Sequence, residues 1–79
     1  MNSSKVIVVT GASQGIGLET VKAFLAQGHR VVANARSIAA SDEPNLITVA
    51  GDIGQPETAK RIAQAAIERF GRIDTLVNN

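Results

Sequence analysis

Three glycines, Gly11, Gly15 and Gly17, follow directly on the apolar run Val6 to Val9 with the spacing Gly-x-x-x-Gly-x-Gly. A β-branched run, a glycine loop and then a helical pattern make a phosphate-binding arrangement. The helix N-terminus supplies unpaired N–H groups and partial positive charge. In that setting Gly11 turns the chain off the strand, Gly15 removes a Cβ where a pyrophosphate would approach, and Gly17 lets the helix pack closely on the sheet. Ser13 and Gln14 stand at the lip with hydrogen-bonding side chains, and Ile16 offers its backbone N–H. A tight strand-to-helix turn without ligand is the competing reading. The strand before, the helix after and a second strand within a ~30-residue unit favour the nucleotide. A P-loop is excluded, because it needs a Lys directly after its second glycine. Here Gly15 is followed by Ile16 and Gly17, and the next Lys is Lys22.

A second pair of candidates, Arg36 and Ser37, closes the run Asn34-Ala35-Arg36-Ser37, where a second strand ends without an acidic residue. An acid at that place binds the 2′-hydroxyl of NAD, whereas an Arg accommodates the 2′-phosphate of NADP. Arg36 can direct two hydrogen bonds at a phosphate and Ser37 can add a third. A solvated loop charge is the alternative for Arg36. For Asp52, after a third apolar run, a turn or helix-capping role is the alternative to a ligand contact. Asp74, in an otherwise apolar segment, reads as structural. His29, the only His, follows Gly28 in a turn and reads as solvated.

These residues require an alternating scaffold to bring them together. Val6 to Val9 suits a strand buried on both faces. From about Ile16 the period becomes helical, with Val21, Phe24 and Leu25 on one face and Gly28 as the stop. Val31 to Ala33 is a second strand. Residues 35–45 read as a loop, with one helical turn expected at Ser37 to Ala40. Leu46 to Ala50 is a third strand. Pro56 and Glu57 suit a helix's first turn, and Ala59, Ile62, Ala63, Ala66, Ile67 and Phe70 form its apolar stripe before Gly71. Phe24 and Phe70 read as core residues. Ile73 to Val77 is a fourth strand. The order predicts an α/β, Rossmann-like, doubly wound parallel sheet with strand order 3-2-1-4, in one partial dinucleotide-binding domain over residues 1–79.

Composition removes several alternatives. A chain of 79 residues buries only about 60% of its unfolded surface, yet it has no Cys for disulfides and a single His, which argues against zinc. Net charge is +1, with two Phe as the only aromatics, so a basic groove with stacking platforms for nucleic acid has little support. Met1 to Lys5 lead into an apolar run too short for a signal-peptide core or a membrane span. A cytoplasmic protein, associated with neither nucleic acid nor membrane, is the expectation. The chain has no Tyr.

Thr10-Gly11-Ala12-Ser13-Gln14-Gly15-Ile16-Gly17 resembles the cofactor motif of the classical short-chain dehydrogenase/reductase family, and Asp52-Ile53 resembles its adenine-contacting pair. Ile73-Asp74-Thr75-Leu76-Val77-Asn78-Asn79 resembles the run into its Asn-Asn-Ala-Gly motif. In character the chain is similar to reductases of the 3-oxoacyl-acyl-carrier-protein type. The resemblance implies that the loop from Gly11 to Gly17 holds the pyrophosphate and adenosine ribose. Asp52 would accept a hydrogen bond from the adenine amino group, Ile53 would pack beside the base, and Asn78 would lie near the cofactor ribose. It implies an NADP-dependent (alternatively NAD-dependent) oxidoreductase acting on a carbonyl or alcohol, with a homo-oligomeric parent. The family's loop marker for NADP, a basic residue, is replaced by Gln14. Its catalytic Ser, Tyr and Lys lie beyond the Asn-Asn-Ala-Gly motif, so the chain reads as an inactive cofactor-binding portion of a longer reductase. The alternative is a free-standing, non-catalytic nucleotide-binding module.

Overall fold

The computed structural model describes residues 4–79; Met1 to Ser3, read above as part of the lead into the first strand, lie outside the described residues. The elements run β1 (Val6–Val9), α1 (Gly15–Ala26), β2 (Arg30–Ala35), β3 (Leu46–Ala50), α2 (Pro56–Phe70) and β4 (Thr75–Val77). All strand pairs are parallel, and the sheet order is β3-β2-β1-β4, as the sequence predicts.

Strand alternation splits the core into two layers. Val6, Val8, Val32 and Val49 face α2 and meet Ile62 and Ala66, with Phe70 packed beside them. Ile7, Val9, Val31 and Ala33 face the opposite way onto Ala12 and Val21 of the α1 side, with Phe24 and Leu25 partly buried there. Because both faces of β1 are covered, all four of its residues are apolar and buried. Pro56 occupies the first turn of α2. Gly71 closes the helix in the left-handed region at φ 82°, where its N–H bonds the carbonyls of Ala66 and Ile67.

Three boundaries differ from the sequence reading. β2 runs on through Asn34 and Ala35, which pair with Val49 and Ala50. The buried strand accommodates Asn34 because its Nδ2 has two carbonyl partners, Val49 and Gly51. Residues 37–40 form no helical turn; instead Ile38 packs against the α1-side core and pins the loop. β4 starts at Thr75 rather than Ile73. Below it the Val6 N–H donates to Asp74 Oδ2 at 2.8 Å, so a side chain takes the place of a backbone carbonyl. The same carboxylate receives Arg72 Nη2 at 2.7 Å. The Arg72 hydrogen bond, then that of Val6, holds the Asp74 carboxyl below its ordinary value.

The α2 stripe is wider than the face it covers. Ile62 and Ala66 are buried, whereas Ile67 is exposed and Ala59 and Ala63 are exposed beside Ile73 and Leu76. α2 lies over β1, β2 and β3 and leaves β4 uncovered on that side.

Candidate functional site

Every β-to-α loop of a parallel sheet emerges at the C-terminal ends of its strands. Here the chain steps outward from β1 to β2 and β3, then returns to β4 on the other side of β1. The crevice outside such a reversal is where open α/β sheets bind ligands. It is a cleft of about 430 Å³, lined by Gly11, Ser13, Gln14, Asn34, Ala35, Arg36, Ser37, Gly51, Asp52, Ile53 and Asn79.

The glycine loop forms one wall. Gly11 and Gly15 have φ of 64° and 62°, a region that L side chains rarely adopt. A Cβ on Gly15 would meet nothing within 4 Å, so space lies open above that residue. A Cβ on Gly17 would overlap the Gly11 carbonyl oxygen and stand 2.5 Å from Asn79 Nδ2. Gly17 therefore allows α1 to close on its own entry loop and on the end of β4. No side chain caps α1: its N-cap, Gln14, is extended and makes no side-chain cap bond, and the first turn has no acid. Its first N–H groups are left for an external acceptor, the arrangement that suits an anion.

The end of β2 forms the second wall. Arg36 and Ser37 are exposed on the cleft, and Arg36 has no ion pair among the described residues. No acid lies at this strand end.

The corner after β3 forms the third wall. Asp52 Oδ1 accepts the Gly54 N–H at 2.9 Å, which makes a local turn. One carboxylate oxygen thus takes the alternative, turn-forming role, while the residue also borders the cleft. Ile53, 46% exposed, lies between the polar cleft and an apolar pocket of Val8, Ala59, Ile62 and Leu76.

The structure gathers Gly11, Ser13, Gln14, Arg36, Ser37, Asp52 and Ile53 around the cleft. Gly15, Ile16 and Gly17 sit behind the lip rather than in the lining, with Ile16 77% exposed. Asn78 is turned away: its Oδ1 accepts Thr10 Oγ1 at 3.0 Å. Asn79 borders the cleft instead, with its N–H on Thr10 Oγ1 and its Nδ2 on the Gly11 carbonyl at 3.3 Å. Sequence reasoning missed Asn34, Ala35, Gly51 and Asn79. The signal for Asn34 was present, because a lone Asn within an apolar strand must find hydrogen-bond partners.

Comparison with known proteins agrees with this geometry. The family model for short chain dehydrogenases matches residues 5–79, and the chain belongs to that family. It is 45% identical to the uncharacterized oxidoreductase YxnA of Bacillus subtilis (strain 168), over 95% of this chain and 24% of that protein. It is 39% identical to 1,6-dihydroxycyclohexa-2,4-diene-1-carboxylate dehydrogenase of Pseudomonas putida, over 95% of this chain and 30% of that protein. Among solved structures it resembles L-sorbose reductase from Gluconobacter frateurii, complexed with NADPH and L-sorbose. The TM-score is 0.83 at 32% identity, covering 99% of this chain and 34% of that one. The chain thus spans about a quarter to a third of these relatives' length. Membership makes it a nucleotide-binding portion of an oxidoreductase fold. No helix among the described residues is long and apolar enough to cross a membrane.

Proposed function

We propose that this chain supplies the adenosine and pyrophosphate half of an NADP(H) site in a short-chain dehydrogenase/reductase that interconverts a carbonyl and an alcohol. The observation that carries the cofactor choice is the cleft wall at the end of β2, where Arg36 and Ser37 stand with no acid beside them. A guanidinium forks onto a phosphate, whereas a carboxylate there would repel it and accept a ribose hydroxyl instead. The uncapped N-terminus of α1, with open space above Gly15, suits the pyrophosphate. Asp52 and Ile53 present a hydrogen-bond acceptor and an apolar side chain at the third wall, as an adenine edge and face require.

A bound nicotinamide dinucleotide supplies the hydride chemistry. The residues here bind and orient it. The relation of the L-sorbose reductase complex to NADPH supports the reading.

Calorimetric titration tests it. NADPH and 2′,5′-ADP should bind more tightly than NADH and 5′-AMP. Arg36→Ala should erase that difference, a loss of about 1.5–3 kcal/mol for a hydrogen bond to a charged group. Equal affinities in the wild type, or a preference that survives Arg36→Ala, overturn the choice of NADP.

A further inference from the structure

We infer that Asn34 and Arg61 are positioning residues for the adenosine side of this cleft. They fix the Gly51–Asp52 corner to the glycine loop. The inference rests on the dinucleotide reading above, and it assigns a role to two residues outside the glycine motif and the Arg36-Ser37 pair.

Asn34 is 1% exposed and joins the two walls through different atoms. Its backbone carbonyl accepts the Ala12 N–H at 2.9 Å, which holds the glycine loop. Its Nδ2 donates to the carbonyls of Val49 at 2.9 Å and Gly51 at 3.1 Å, which holds the far corner. Two carbonyl acceptors require the amide NH2 at this place, because neither a carboxylate nor an amide oxygen can donate. The corner is gripped from its other side by α2. Arg61 Nη2 donates to the Ala50 carbonyl at 2.8 Å. A Cβ on Gly51 would lie 2.6 Å from both Arg61 Nη2 and Thr58 Oγ1, so the backbone there runs flush against these side chains. The Gly51 N–H is itself bonded to the Ala35 carbonyl at 2.9 Å. Residue 51 is thus held by its N–H, its carbonyl and its open Cα face, and the next residue is Asp52.

A corner fixed this tightly sets the distance between Asp52 and the glycine loop before any ligand arrives. A rigid ligand that must reach both walls then binds without ordering them. Asn34 and Arg61 act on it through Asp52, not by contact.

The test is a double-mutant cycle on the full chain, with 5′-AMP as probe and a thermal melt for each variant. Arg61 is exposed, so Arg61→Ala leaves the core intact. It should weaken 5′-AMP roughly threefold to tenfold, the net size of one hydrogen bond. In an Asp52→Ala background the same change should have no further effect, since Asp52 is the group through which the corner acts on the ligand. Asn34→Asp, which keeps the size and removes the donor, should behave likewise. If that variant does not fold, the Arg61 cycle alone decides. Additive losses, or unchanged 5′-AMP affinity in Arg61→Ala, overturn the inference while the wild type still binds. A wild type that binds neither 5′-AMP nor NADPH overturns the dinucleotide reading itself, and this inference with it.

Discussion

Gly17→Ala offers the sharpest test of how the phosphate loop is built. The new methyl would overlap the Gly11 carbonyl oxygen and crowd Asn79 Nδ2 at 2.5 Å. Neither neighbour is a free side-chain end. The Gly11 oxygen is backbone and accepts Asn79 Nδ2 at 3.3 Å, and Asn79 is tied by its own N–H to Thr10 Oγ1 at 3.1 Å. Relief therefore requires α1 to move off the loop. Overpacking of this kind costs typically 1–3 kcal/mol, and overlap with backbone places it toward about 3 kcal/mol. Alanine gains up to about 1 kcal/mol over glycine in a helix. The net loss is about 2 kcal/mol, or roughly 8–16 °C in Tm for a chain of this size. Circular dichroism melts measure it. Gly71→Ala is the control: it carries the left-handed penalty at φ 82°, but its Cβ would meet nothing within 4 Å. Gly17→Ala should melt lower than the wild type and should also lose dinucleotide affinity. A Gly17→Ala protein that melts at or above the wild-type temperature refutes the close approach of α1 to its loop.

Two further outcomes follow from other parts of the molecule. Gly15→Val should abolish dinucleotide binding while the fold persists, because its side chain would extend into space where a Cβ meets nothing within 4 Å, at the cost of strain at a φ of 62°; calorimetry showing retained binding would reduce the loop to a turn. The Asp74 carboxyl is held below its ordinary value by Arg72 and the Val6 N–H, so the ionised form stabilises the fold above the ordinary carboxylate range and that contribution is lost as the pH falls through the lowered value. Asp74→Asn should accordingly lower Tm at pH 7, with the difference from wild type shrinking in acid; a gap that is constant with pH would remove the charge from the account.

Much of the scaffold was legible because buried parallel strands and amphipathic helices leave strong periodic signatures. Val6 to Val9 was readable to the residue, since both of its faces are covered and each position must be apolar. Pro56 and Gly71 marked α2 for local backbone reasons, which need no tertiary partner. The end of β2 was not legible. Asn34 breaks an apolar run, and only the carbonyls of Val49 and Gly51, brought alongside by strand pairing, explain why the strand continues through it. The start of β4 was hidden for a similar reason: Asp74 replaces a ladder bond through a contact across 68 residues of chain.

By itself the sequence determined the order of elements, the glycine loop and the basic residue at the end of the second strand, because each depends on local stereochemistry or on the type of one side chain. Tertiary structure decided which of these residues share a cleft. It turned Asn78 toward Thr10 and put Asn79 at the rim. It gave Gly17 a specific neighbour in the Gly11 carbonyl, and it joined the loop after β1 to the corner after β3 through Asn34. Apart from the Gly17–Gly11 approach, which is set by the fold of one loop, those outcomes depend on contacts between segments far apart in the chain, whose distances no spacing along the sequence can encode.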